Sequence, residues 1–331
     1  MINLMDLGMK QMDRGVVVSA TPVVTVGNKM DVRTSVNVKM YEMAMETFIE
    51  VAKNNEKVTD NQRLNATRLE NYRYSISNDR LYIVDRSDEK IVYGSIAFGN
   101  AKLKATKNEM FVQFNIGQKI CCPVLGKTCT HCYADKFVCK LISANTGEVS
   151  GVGTSRIKNT VLTQFENFVE IINGAIDYIK ASTNKKVVFR WHESGDVYSK
   201  KYFQKIKQVM ADNKDVDFMI YTRVPFVAKE INELNKHEHI MVRFSVDAST
   251  PKGMFDYVMK NNVPTFITIH REDENFKAMV KAFFPIGIIC NVKNPDAEKI
   301  TDMLYKSSEL HCLKCGKCRN KNIKHQYVVI H

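Results

Sequence analysis

The chain has 331 residues, a net charge of +12 at neutral pH and 44% hydrophobic residues. No stretch approaches the roughly 20 apolar residues of a membrane-spanning helix, and the amino terminus lacks the basic and apolar regions of a signal peptide. We therefore expect a cytoplasmic protein without a membrane partner. Its nine cysteines then stay reduced, which favours metal ligands over disulfides.

The basic charge favours a polyanionic partner such as a nucleic acid or a nucleotide. Lysines and arginines are spread along the whole chain, with local density at 200–207 and 314–324. Because these charges form no single block, an ordinary solvated surface is the alternative interpretation.

Residues 1–105 are predicted to form an accessory α+β segment. Apolar residues at helical spacing indicate an amphipathic helix over 39–54. Two β-rich runs, 81–85 and 91–99, flank a polar turn and indicate a β-hairpin. The sequence of this segment indicates no function.

From residue 106 to residue 308 the sequence alternates between strand-like apolar runs and segments with helical spacing. The strand-like runs are 110–116, 186–191, 217–222, 239–246, 264–269 and 284–290. The clearest helical segment, 161–179, carries one apolar stripe and is predicted to be capped by Asn159 or Thr160. Strands separated by helices pair in parallel through right-handed crossovers, which predicts an α/β fold, either a doubly wound sheet or an open barrel.

Polar residues follow these strands at their carboxyl ends, the edge where parallel α/β folds bind ligands. His192, Glu193 and Asp196 follow the second run, Arg223 follows the third and Asp247 the fourth. We expect this rim to be the functional site, with His192 as a general base and Arg223 as a bidentate ligand of a carboxylate or phosphate. The alternatives are structural: His192 bonded to a loop carbonyl, Asp196 as a helix cap, and Arg223 paired with a neighbouring acid.

The first cysteine cluster follows the first of these strands. Cys129 and Cys132 are two residues apart, so both thiolates reach one metal, and Cys122 can fold back as a third ligand across a turn containing proline and glycine. Three cysteines leave one position of an iron–sulfur cluster open. A zinc site instead needs a fourth ligand, for which His131 and Cys139 are the candidates.

The second cluster lies in the region 309–331, predicted to be a cysteine-rich tail. Cys312, Cys315 and Cys318 have the spacing of a metal-binding knuckle. With His325 or Cys290 as the fourth ligand it can hold zinc, and with thiolates alone a second 4Fe–4S cluster. A structural role is favoured because the cluster closes the carboxyl terminus.

Several segments together resemble phage-encoded proteins of the gene product 88 type, which have features of the radical S-adenosylmethionine (SAM) enzymes. The resemblance spans roughly residues 97–320. It rests on the following segments: 99–103 (GNAKL), 122–134 (CP to CYA), 190–196 (RWHESGD), 221–223 (YTR) and the terminal CxxCxxC. It implies an open parallel (β/α)6-type partial barrel, a phage origin and expression in the host cytoplasm.

The resemblance also implies cofactors and the residues that hold them. Cys122, Cys129 and Cys132 would ligate a 4Fe–4S cluster whose open iron chelates SAM. The implied residues at the cofactor are Tyr133, Ser194, Gly195, Asp196, Arg243, Ser245, Asp247 and Asn291. From their positions in the rim we add Arg223 to this set and expect His192, Asp196 and Asp247 to be the catalytic residues. Reduction would come from a flavodoxin or ferredoxin.

The sequence is therefore compatible with three functions. The first is a radical-SAM-like enzyme that modifies a nucleic acid or nucleotide. The second is a zinc-dependent base-exchange enzyme similar to tRNA-guanine transglycosylases, with Asp196 and Asp247 as the catalytic acids. The third is a non-enzymatic, metal-stabilised nucleic-acid-binding protein, against which the charged rim argues.

Overall fold

The computed structural model describes residues 24–26, 30–32, 68–99, 106–117, 121–124, 151–270, 273–283, 288–289, 320 and 322–330. The strands within these ranges are β1 (Val24–Val26), β2 (Met30–Val32), β3 (Tyr72–Ser77), β4 (Arg80–Asp85), β5 (Val92–Phe98), β6 (Glu109–Phe114), β7 (Lys186–Trp191), β8 (Asp217–Thr222), β9 (Ile240–Val246), β10 (Thr265–His270), β11 (Ile288–Ile289) and β12 (His325–Ile330). The helices are α1 (Gly151–Leu162), α2 (Phe168–Ala181), α3 (Lys200–Asp212), α4 (Pro225–Ala228), α5 (Ile231–Leu234), α6 (Lys252–Lys260) and α7 (Glu274–Phe283).

One ten-stranded mixed sheet organises the protein, in the order β11-β12-β10-β9-β8-β7-β6-β5-β4-β3. Strands β3 to β6 pair antiparallel as a meander, whereas β6 to β10, β12 and β11 pair in parallel. The carboxyl ends of the parallel strands therefore meet at a single edge of the sheet, as the sequence predicted. Strands β1 and β2 form a separate antiparallel pair.

The two faces of the parallel strands differ in what packs on them. The larger hydrophobic cluster joins alternate strand residues such as Phe189 and Ile220 to apolar side chains of every described helix. The smaller cluster, on the other face, consists of strand residues alone among the described part of the chain: Phe111, Val188 and Met219, with Tyr221 against them. Because β6 to β10 follow one another in order, right-handed crossovers carry successive helices to the same side. We call the second side the helix-free face.

The predicted strands agree closely with the structure for β6 to β10, and the predicted hairpin is confirmed as β4 and β5. The predicted helix over 161–179 is wrong at its amino end, because the chain breaks between α1 and α2. Asn167, in the break, bonds through its side chain to the backbone of Leu69. Lys205 donates to the carbonyls of Thr163 and Phe165. The break is thus held by side chains far away in the sequence.

Asn159 and Thr160 are consequently internal residues of α1 rather than caps. The Asn159 amide bonds to the backbone of Ser95 and to the carbonyl of Asn115, which fixes α1 against β5 and the end of β6.

The two segments predicted to lie outside the α/β region, 1–105 and 309–331, both contribute strands to the main sheet. Strands β3 to β5, in the segment 1–105, continue the same sheet, and β12, in the tail 309–331, lies between β10 and β11. The predicted helix over 39–54 lies outside the described residues. In the described part of the chain, every helix is too short or too polar to cross a membrane.

Candidate functional site

The loops after β6 and β7 are joined by backbone hydrogen bonds at the carboxyl edge. The amide of Ile116 donates to the carbonyl of Ser194 at 3.1 Å, and the amide of Asp196 donates to the carbonyl of Cys121, also at 3.1 Å. The Ser194 hydroxyl donates to the carbonyl of Ile116 at 2.8 Å. The start of the first cysteine loop is therefore fixed against the predicted cofactor-binding segment.

Gly195 makes this close approach possible. Its φ of +81° lies in the left-handed region, and a Cβ atom at this position would lie 2.4 Å from Cγ1 of Ile116. The loop thus requires glycine here for both backbone conformation and space.

Asn115 supports the same loop, although it was not among the residues predicted to form the site. Its Oδ1 accepts hydrogen bonds from the amides of Glu193 and Ser194, at 2.7 and 3.2 Å. A polar residue directly after a buried strand was the signal used for the other strands. Applied to β6, that signal identifies Asn115.

Asp196 is a buried carboxylate whose oxygens accept backbone hydrogen bonds. The amides of Val197 and Arg223 donate to it, at 2.7 and 2.9 Å, and the Thr222 side chain adds a further bond. Burial raises the pKa of Asp196, and these bonds oppose the rise. The cap of α3 is Ser199, so Asp196 joins the ends of β7 and β8 instead of capping a helix.

Arg223 continues the network to the next strand. Its guanidinium pairs with the carboxylate of Asp247 at 2.9 Å, and the two side chains are 14% and 0% exposed. Oδ1 of Asp247 also accepts from the amide and hydroxyl of Ser249. The backbone amide of Arg223 holds Asp196 while its side chain holds Asp247, so a single residue links three strand ends. The predicted alternative of an ion pair for Arg223 is confirmed.

The two described cysteines differ in environment. Cys121 is buried, its sulfur lies 3.6 Å from the Thr160 hydroxyl, and burial raises the pKa of its thiol to about 12. A protonated thiol is a poor metal ligand. Cys122 is only partly buried. Of the two thiols, that of Cys122 is therefore the better suited to bind a metal.

The other predicted metal ligands, Cys129, Cys132, Cys312, Cys315 and Cys318, lie outside the described residues, as do Tyr133 and Asn291. Within the described ranges, no three His, Cys, Asp or Glu side chains are grouped as a metal site would require.

His192 belongs to the same loop, but its ring points toward helix α3. The residue has a φ of +57° and is 3% exposed. Its Nε2 lies 2.8 Å from the hydroxyl of Tyr202, and its Nδ1 is buried without a hydrogen-bond partner among the described residues. Burial and the charge of Arg190 lower the pKa of His192 to about 3.

This shift predicts a pH dependence of stability. The unfolded chain binds a proton at His192 below about pH 6.5, whereas the folded protein does not until about pH 3. Its contribution to the free energy of unfolding is therefore complete above pH 6.5 and falls by up to about 1.4 kcal/mol per pH unit below it. In His192→Gln, urea titrations between pH 7 and pH 4.5 should show a shallower loss of stability. An identical slope in both proteins would contradict the neutral histidine.

Arg243, predicted at the cofactor, is fully buried in β9 and faces the carboxyl-terminal segment. Its guanidinium donates to the carbonyls of Ile323 and Lys324 at 2.6 and 2.9 Å, and to that of Asn320 at 3.3 Å. Lys324 directly precedes β12, so these contacts lie at the amino end of β12. Ser245, two residues further along β9, is partly exposed on the helix-free face.

Comparison with known proteins identifies the family of this chain. The family model described as gene product 88 matches residues 94–321, which include the whole rim and both cysteine clusters. The chain belongs to the gene product 88 family. The resemblance found in the sequence is thereby confirmed at the level of this family.

Two phage proteins are relatives within the gene product 88 family. The gene 88 protein of Mycobacterium phage L5 is 28% identical over 208 residues, which cover 62% of this chain and 80% of that protein. The gene 88 protein of Mycobacterium phage D29 is 30% identical over 147 residues, covering 44% and 56% respectively. No solved structure matches the chain.

Proposed function

We propose that this gene product 88 protein is a phage-encoded, radical-SAM-like iron–sulfur enzyme that modifies a nucleic acid or nucleotide. Cys122, Cys129 and Cys132 would hold a 4Fe–4S cluster at the carboxyl edge of the sheet, with SAM as the second cofactor. The parallel strands would form an open partial barrel. Within the described ranges, all helices pack on one face of the sequentially ordered strands. This supports that fold, because a doubly wound sheet carries helices on both faces.

The observation that carries the proposal is the hydrogen bond between the amide of Asp196 and the carbonyl of Cys121. It fixes the residue before Cys122 against the segment Ser194 to Asp196, at the edge where ligands of parallel α/β folds bind. A cluster held by the cysteine loop would then lie beside the buried acids and Arg223.

The donor set fits an iron–sulfur cluster better than a closed zinc site. Three thiolates satisfy three of four irons and leave the fourth for a ligand, whereas structural zinc takes four protein ligands. Partial exposure of Cys122 suits a ligand, while Cys121 stays protonated. When bound, the cluster and SAM would together supply radical chemistry for hydrogen abstraction from the substrate.

The protein's own residues would position the cofactor. Gly195 allows this loop to pack closely on Ile116, and Ser194 is locked by its bond to the carbonyl of Ile116. Arg223 and Asp247 neutralise each other in a buried pair, which keeps the floor of the site rigid. Reducing equivalents would come from a flavodoxin or ferredoxin.

Zinc-dependent base exchange is less well supported. That reaction needs Asp196 and Asp247 as catalytic acids, but their oxygens already accept hydrogen bonds from backbone amides and from Thr222, Arg223 and Ser249. Cys312, Cys315 and Cys318 would have a structural role in this proposal and would hold zinc or a second 4Fe–4S cluster.

The test is reductive cleavage of SAM. Anaerobically purified protein, reduced with dithionite and incubated with SAM, should release methionine and 5′-deoxyadenosine, measured by liquid chromatography and mass spectrometry. Cys129→Ala should abolish both products because the cluster loses a ligand. Cleavage that survives in Cys129→Ala would show that the ligand assignment is wrong.

A further inference from the structure

A row of stacked side chains crosses the helix-free face, from the carboxyl ends of β7 and β8 to the amino end of β10. The guanidinium of Arg190 on β7 lies over the ring of Tyr221 on β8, 5.2 Å from its centroid. The Tyr221 ring meets Phe266 on β10 at 5.1 Å and 65°. All three side chains are partly exposed, so the row presents planar surfaces that a ligand can reach.

Gln113 lies beside this row, directly opposite Arg190 in the register of β6 and β7. It is 1% exposed, and its Oε1 accepts a bond from the Asn115 amide at 3.3 Å. Its Nε2 has no hydrogen-bond partner in the described part of the protein. Buried amide donors are nearly always paired, so this donor is explained if a bound molecule supplies the acceptor.

We infer that Arg190, Tyr221 and Phe266, with Gln113, form a binding site for an unpaired base of a single-stranded nucleic acid. Unpaired bases stack on aromatic rings and guanidinium planes, and they present ring nitrogens and carbonyl oxygens that accept bonds from an amide. The inference rests on the proposed function. It specifies that the substrate is a single-stranded nucleic acid and that one of its bases binds on the helix-free face.

Charge at the carboxyl edge of the sheet favours a polyanion over a neutral aromatic ligand. Helix α3 begins with Lys200 and Lys201, and α6 begins with Lys252; all three are exposed. Neither helix has an acidic residue in its first turn, although a helix dipole favours acids there. Together with the net charge of +12, these lysines can attract the phosphates that flank a bound base.

The experiment measures binding of a fluorescein-labelled single-stranded DNA of about twelve nucleotides by fluorescence anisotropy at fixed salt. Tyr221→Leu should weaken binding about tenfold through lost stacking, and Tyr221→Phe should bind within about twofold of the unmodified protein. Tyr178→Leu is the matched control, because Tyr178 is an exposed tyrosine on α2, outside the row. It should leave binding unchanged.

Circular dichroism verifies that each variant folds, and Arg190→Gln replaces Tyr221→Leu if the latter does not. The inference would be overturned if folded Tyr221→Leu or Arg190→Gln bound the single strand as tightly as the unmodified protein does. It would also be overturned if the unmodified protein bound the matching duplex as tightly as the single strand. Iron measured on the same samples separates the two proposals. If the protein contains no iron but its DNA binding depends on Tyr221, only the proposal of an iron–sulfur enzyme is refuted. If the protein contains iron but the Tyr221→Leu variant binds DNA as tightly as the unmodified protein, only the base-binding site is refuted.

Discussion

Arg243→Leu is expected to destabilise the protein by about 3 kcal/mol or more. The substitution removes the donors that satisfy the carbonyls of Asn320, Ile323 and Lys324 in a fully buried setting. These carbonyls lead directly into β12, which lies between β10 and β11. Loss of the guanidinium should therefore loosen the whole end of the sheet. The measurement is the urea midpoint, read by circular dichroism at neutral pH.

Arg68→Leu is the matched control for this substitution. Arg68 pairs with Glu170, but its side chain is 53% exposed, and exposed pairs contribute about 0 to 1 kcal/mol. The two variants should thus differ clearly in stability. Similar midpoints for both would mean that Arg243 is not the anchor of the carboxyl-terminal strand.

Cys122→Ala is expected to lose most of the iron bound at the first cluster, while Cys121→Ala keeps it. The two residues are adjacent, yet Cys121 is buried against Thr160 with a thiol pKa of about 12, and Cys122 is partly exposed. A thiolate is required for ligation, so burial alone should distinguish the neighbours. Iron and acid-labile sulfide per chain, measured after anaerobic purification, give the comparison.

Cys121→Ala also controls for folding. Its side chain lies in the core, so the substitution leaves a small cavity and costs stability without removing a ligand. Iron lost equally from both variants would show that the loop depends on Cys121. Iron retained by Cys122→Ala would exclude Cys122 as a ligand.

The rim could be predicted because its signal is local. An apolar run followed at once by polar residues marks a strand end, and parallel pairing brings such ends together. Asp196, Arg223 and Asp247 were selected in this way, and the structure joins them in one network. Their partners were less predictable, since the same residue types serve both in catalysis and in structural pairs.

Features that depend on long-range contacts could not be predicted from the sequence. Arg243 stands within an apolar run, and its acceptors in the carboxyl-terminal segment lie 77 to 81 residues away, so no spacing rule connects them. The break before α2 is held by Leu69, 98 residues from Asn167. His192 lies beside acids in sequence, but its positive φ turns the ring toward Tyr202.

The most direct test of an iron–sulfur site at the carboxyl edge is the metal and sulfide content of the full chain purified without oxygen. We expect a brown protein with about four irons and about four sulfides at the first cluster, whose colour bleaches on reduction with dithionite. A colourless protein with stoichiometric zinc and no sulfide would contradict it.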